Sequence, residues 1–196
     1  MDKEKTALLL IDVQKAFDDP SWGRRNNPEA EEKMEEILSA WREKHGFVIH
    51  VQHQSDNPES LFHSVKKSYA IKEQLQPIDK EPIITKKVNS AFIGTDLEEI
   101  LRMNGVTTVI IMGLTTPHCV STTTRMSGNL GFATYVVSDA TAAYELKDQD
   151  GKVIDPETVH AISLATLHNE FASVVTTIEL MNEFIHNTAP GKQATE

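Results

Sequence analysis

One cysteine, Cys119, stands among 196 residues, inside the stretch "IIMGLTTPHCVSTTT". A lone thiol is either a nucleophile or a small buried hydrophobe, and its position bears on which. The β-branched run ending at Gly113 reads as a strand, and the residues after it read as a helix start. With Thr116 as N-cap, Pro117 falls at N1, where its missing N–H costs nothing, and Cys119 falls at N3. The Thr116 hydroxyl would there accept the backbone N–H of Cys119, while the helix dipole would favour a thiolate and nearby free amides would suit an oxyanion. An inert core thiol remains open as the alternative.

A nucleophile needs a proton acceptor. Asp12 directly follows "ALLLI", where a carboxylate is costly to bury without a partner or a task. It reads equally as a turn or capping carboxylate at a strand end. His118 adjoins Cys119, but sequence neighbours on a helix point about 100° apart, which makes it a poor base. His50, His53 and His63 raise the question of a metal. His50 and His53 fall on opposite faces of a strand, and no carboxylate stands at ligand spacing beside them, so ordinary hydrogen bonds are expected. Neither a Walker pattern nor a Gly-rich dinucleotide turn follows any strand, and no cofactor is expected.

The elements that would position these groups are short apolar runs: "TALLLID" near 6–12, "GFVIHVQH" near 46–53, "EPIITK" near 81–86, "TTVIIMG" near 107–113, "ATYVVSD" near 133–139 and "SVVTT" near 173–177. They read as strands buried on both faces. Between them "NNPEAEEKMEEILSAWREKHG" reads as a helix, with Asn27 as cap, Pro28 at N1 and a stripe of Met34, Ile37, Leu38 and Trp41. Further helices are expected near 95–104, 117–128 and 157–170. This alternation predicts an α/β fold: one doubly wound, mostly parallel six-stranded sheet with helices on both faces, over 1–187. The 188–196 tail lacks apolar residues and should fray. The 54–80 stretch has no strong period and reads as an irregular excursion near the site face. Ligands bind such sheets where strand order reverses, between the first and fourth strands, which here end at Asp12 and Gly113.

The formal charge is −10, from 29 acidic and 19 basic residues. No stretch concentrates Lys or Arg, which argues against a nucleic-acid partner. Nothing approaches the ~18 apolar residues of a membrane span, no leader pattern opens the chain, and the lone thiol suits a reducing compartment, so a cytoplasmic protein is expected.

"LLLIDVQKAF", together with "KKVNSAFIGTDLEEILRMNGVTTVIIMGLTTPHCVSTTTRMSGNLGFATYVVSDATAA", resembles the isochorismatase-like cysteine hydrolases. That superfamily includes nicotinamidases and N-carbamoylsarcosine amidohydrolases, and the resemblance spans about 6–175. It implies a triad of Asp12, Lys86 and Cys119. Lys86 is preferred over its neighbour Lys87 by its spacing from Ser90 in "SAF". The resemblance further implies a cis peptide at Leu114–Thr115, an oxyanion hole from the backbone N–H groups of Thr115 and Cys119, and Gln14 and Phe17 near the substrate, although Phe17 reads equally as loop packing. A homodimer or homotetramer is implied as well.

The implied activity is hydrolysis of a C–N bond in a small carboxamide or ureido compound through a thioester. Two departures narrow it. The region after the second strand reads "VQHQSDNPES" where nicotinamidases carry an Asp and His metal cluster, and true isochorismatases, which cleave a vinyl ether, lack the cysteine. Hydrolysis of such another bond, or a binding or redox-sensing protein with a reactive Cys119, are the competing readings.

Overall fold

Six strands pair in parallel in the order β3-β2-β1-β4-β5-β8 in the computed structural model, which describes residues 2–78 and 80–186. They are β1 (Thr6–Ile11), β2 (Phe47–His53), β3 (Ile83–Lys86), β4 (Thr108–Leu114), β5 (Ala133–Ala142) and, after a small antiparallel pair β6 (Leu146–Lys147) and β7 (Val153–Ile154), β8 (Ser173–Val175). All six residues of β1 and all seven of β4 are buried, which is why they read as unbroken apolar runs rather than alternating ones. The expected tail at 188–196 lies outside the described residues.

Helices cover both faces. α1 (Ala30–Glu43) lays Met34, Ile37, Leu38 and Trp41 against one face, and all four are buried. Each such side chain contributes roughly 1.5–3 kcal/mol by leaving water. α2 (Leu97–Met103) buries Leu97 and Leu101 in the core on the opposite face. α3 (Ser121–Asn129), α4 (Pro156–Ala165) and the short α5 (Thr177–Leu180) complete the set.

Four local expectations are corrected. Asn27 does not cap α1: it sits at φ 41, its amide donates to the carbonyls of Ser138 (3.0 Å) and Thr141 (2.8 Å), and the helix begins after Pro28 and Glu29. Its side chain ties this turn to β5 instead. α4 stops at Ala165, short of the expected 170, and the chain reverses through Asn169 at φ 65. The last strand ends at Val175 because Thr176 forms a capping box with Glu179 at the start of α5. The fourth correction concerns the Cys119 turn and belongs with the site.

Candidate active site

β1 and β4 are neighbours, with Ile11 opposite Gly113, and both lead into the site. Asp12 leaves β1 in the left-handed region, at φ 51, and donates its N–H to Val51 O at 2.9 Å. Gly113 stands at φ 127, and a Cβ there would lie 2.2 Å from Ile11 O. Only glycine lets the two strands stay this close where their ends deliver Asp12 and the cysteine turn.

After β4 the Leu114–Thr115 peptide is cis, as the resemblance implied. The chain then makes a wide π-type turn, Thr116–Val120, before α3. Thr115 therefore occupies the cap position and Thr116 is the first residue of the turn, so Cys119 is not at N3 below a Thr116 cap. The Thr116 hydroxyl instead meets Nδ1 of His160 on α4 at 2.9 Å. The wider turn moves the caps by one residue, a change that sequence spacing does not encode.

Lys86 is the last residue of β3, and burial alternates along that edge strand, so Thr85 faces out and Lys86 faces in. The next residue, Lys87, is exposed and pairs with Asp56 at 2.8 Å. The Lys86 ammonium lies 2.6 Å from Asp12 Oδ2, 3.2 Å from His53 Nδ1, 3.2 Å from Val88 O and 3.4 Å from Cys119 Sγ. Asp12, Lys86 and Cys119 thus converge, and Lys87 stays outside. Asp12 Oδ1 is buried and accepts no hydrogen bond of ordinary geometry.

Burial raises the Asp12 pKa, opposed by the Lys86 charge. It also pushes the Cys119 thiol up to about 12, with the Asp12 carboxylate adding to the rise and Lys86 opposing it. The expectation of a dipole-favoured thiolate is overturned. The resting sulfur is a neutral thiol beside the Asp12 carboxyl group, whose charged form Lys86 favours against burial.

Histidines His50, His53 and His63 form no joint cluster among the described residues. His50 contacts Glu81 at 2.9 Å and His63 Nδ1 accepts from Val65 N at 3.4 Å. His53 is opposite Lys86 in the β2 and β3 register and enters the site. Asp12, His53 and Cys119 offer donor atoms within 4.8 Å of one another, the spacing of a metal triad. The ammonium of Lys86 already bonds to all three, so a side-chain cation holds the central position.

Above these groups opens a cavity of about 270 Å3. Asp12 and Cys119 line it. One wall is aromatic, from Phe17, Trp22 and Phe62, and His53, Asn89, Thr115 and His118 also line the cavity. Phe17 is therefore at the cavity. Gln14 is not: its side chain accepts from His53 N at 2.8 Å and donates to Tyr69 O at 2.8 Å, which locks the β2 end to the 54–80 excursion. His118, set aside as a base, lines the cavity with Nδ1 3.1 Å from the Thr115 hydroxyl. Trp22, Phe62 and Asn89 were missed, and His53 was expected only to make ordinary hydrogen bonds outside the site. The first three sit on irregular segments with no periodic signal.

A thiol, a carboxylate and an ammonium gathered at the switch point of a doubly wound sheet define an enzyme-type site. Residues 6–179 match the isochorismatase domain, and the chain belongs to the isochorismatase family of hydrolases. It is 62% identical over 183 residues to the isochorismatase-family protein YrdC of Bacillus subtilis (strain 168), covering 93% of this chain and 98% of that one. A solved isochorismatase-family protein from Chromobacterium violaceum ATCC 12472 superposes with a TM-score of 0.90 at 40% identity, covering 93% and 94% of the two chains. Ureidoacrylate amidohydrolase RutB of Methylobacterium radiotolerans is 31% identical over 121 residues, 60% of this chain and 43% of that protein. Among the described residues no helix is long and apolar enough to cross a membrane.

Proposed function

We propose that the chain is a cysteine hydrolase that cleaves the C–N bond of a small carboxamide or ureido substrate. The observation that carries this is the single ammonium of Lys86 bridging Asp12 Oδ2 at 2.6 Å and Cys119 Sγ at 3.4 Å beneath an open cavity. The named amidohydrolase relative supports the bond class.

A thiol held at about 12 needs a base at the moment of attack. Asp12 takes the proton as sulfur adds to the carbonyl carbon, and Lys86 stabilises the negative charge that develops on sulfur. The carbonyl oxygen becomes an oxyanion, accepting from the backbone N–H groups of Thr115 and Cys119, each contributing on the order of 3 kcal/mol in comparable sites. The tetrahedral adduct collapses: the C–N bond breaks, Asp12 returns the proton to the departing nitrogen, and ammonia or an amine leaves. Water then attacks the S-acyl carbon, or the S-carbamoyl carbon of a ureido substrate, with Asp12 again accepting the proton, and the thiol is restored.

The test is ammonia or amine release from a panel of small carboxamides and ureas, with mass spectrometry of the protein during turnover. Acyl mass on the Cys119 peptide and a loss of at least about 1,000-fold in Cys119→Ala are expected. Full turnover in Cys119→Ala would refute the mechanism.

A further inference from the structure

We propose that the substrate carries no negative charge: it is an uncharged carboxamide or urea whose compact apolar or aromatic body lies against the Phe17, Trp22 and Phe62 wall. This rests on the amidohydrolase reading and narrows its substrate class.

The wall is a continuous aromatic surface. Ring centroids are 5.1 Å apart for Phe17 and Trp22, 5.2 Å for Phe17 and Phe62, and 6.3 Å for Trp22 and Phe62. Tyr144 backs it, stacked on Phe17 at 6.2 Å with its hydroxyl donating to Phe17 O at 2.6 Å. Such a surface rewards flat, apolar contact. The cavity, at about 270 Å3, is at or below the small end of ligand pockets, roughly 300–1,000 Å3.

Charge decides the rest. Among the described residues no Lys or Arg lines the cavity, and the one acidic side chain that does is Asp12. Lys86 stands behind it, and its three N–H bonds face four acceptors, so none is spare for a substrate carboxylate. His53 accepts from Lys86 through Nδ1, which places its own proton on Nε2 and leaves it a neutral donor. Burial and the Lys86 charge hold its pKa at about 4, so it stays neutral near pH 7. Burial lowers the His118 pKa as well, and Asn89 is an uncharged amide.

Most cations on the adjoining segments are already engaged: Lys72 with Asp18 and Glu31, Arg25 with Glu31, Lys15 with Glu73, Lys87 with Asp56, and Lys66 with the Glu59 carbonyl. A carboxylate carried into this cavity would lose water, face the Asp12 carboxyl group and find uncharged donors but no cation to pair with. Neutral polar groups are well served, because His53, His118 and Asn89 can hydrogen-bond without charge.

The experiment compares kcat/KM for matched amides differing in one substituent: para-methyl, para-carboxylate and para-aminomethyl benzamide, and butyramide against succinamate. The uncharged member of each set is expected to exceed the carboxylate by at least about 100-fold, the cost of desolvating an unpaired charge. In Phe62→Arg, which places a guanidinium on the wall, that ratio should fall by about tenfold or more, mainly through KM for the carboxylate. Wild-type turnover of a carboxylate within about threefold of its neutral partner, or preference for the aminomethyl compound, overturns the proposal. Cys119-dependent turnover of carboxylates alone sinks it and leaves the amidohydrolase reading standing. No turnover of any amide, with no acyl mass on Cys119, counts against that reading and removes this one with it.

Discussion

Replacing Asp12 by Asn should make Cys119 more acidic while abolishing catalysis. The thiol titrates at about 12 because it is buried and because the Asp12 charge opposes a second anion. Oxygen and sulfur lie within 4.8 Å, and at an effective dielectric constant of about 20 two charges at that distance repel by about 3.5 kcal/mol, or about 2.5 pH units. Asn keeps the shape and still accepts from Lys86, whose ammonium is then free to stabilise the thiolate alone. The thiol of Asp12→Asn should therefore titrate between about 9 and 10. The assay is the rate of iodoacetamide alkylation against pH, with the modified peptide identified by mass. At pH 8 the thiolate fraction should rise by about 100-fold or more, with an inflection below pH 10 that the wild type lacks. Amide hydrolysis should drop by about 100- to 10,000-fold in the same variant, because the proton acceptor and later donor is gone. An alkylation profile identical to the wild type would refute the charge argument, and retained hydrolysis would refute the role of Asp12 as base.

Glu31 on α1 takes Arg25 Nη1 at 2.8 Å, Arg25 Nη2 at 2.5 Å and Lys72 Nζ at 2.7 Å, and these partners hold its pKa near 2 against an ordinary 4.5. A depressed carboxyl contributes stability that is fully present above about pH 4.5 and is lost as pH falls toward 2, here about 3 kcal/mol. Glu31→Gln should accordingly lower Tm at pH 7 by about 6–12 °C in calorimetry, with the deficit shrinking below pH 4; a shift under about 2 °C would show that the cluster contributes nothing net. Lys86→Met should cost at least about 100-fold in kcat while Lys87→Ala changes kcat by less than about twofold, measured on one substrate, and the reverse pattern would exchange their roles.

Much of this site was legible because strand physics is local. Burial on both faces marks β1 and β4 as central strands, the switch-point rule then selects their ends, and Asp12 and Cys119 sit there. Lys86 was legible only through the resemblance and its spacing from Ser90, and the burial alternation on the folded β3 then separates it from Lys87. His53 was not legible: its meaning lies in a partner on another strand, the Lys86 register pair, and spacing within β2 says nothing of it. Trp22 and Phe62 reach the cavity from segments without a repeat, where only the folded path brings rings 6.3 Å apart. The thiol shows most clearly why local reasoning stops. A helix N-terminus favours an anion by roughly 0.3–1 kcal/mol, and that was the effect visible along the chain. Burial opposes it most strongly, and the Asp12 charge adds up to about 3.5 kcal/mol in the same direction across strands. The larger effects both come from residues distant in sequence, so the same cysteine that reads as a ready thiolate along the chain is, once folded, a thiol whose reactivity depends on Asp12 accepting its proton.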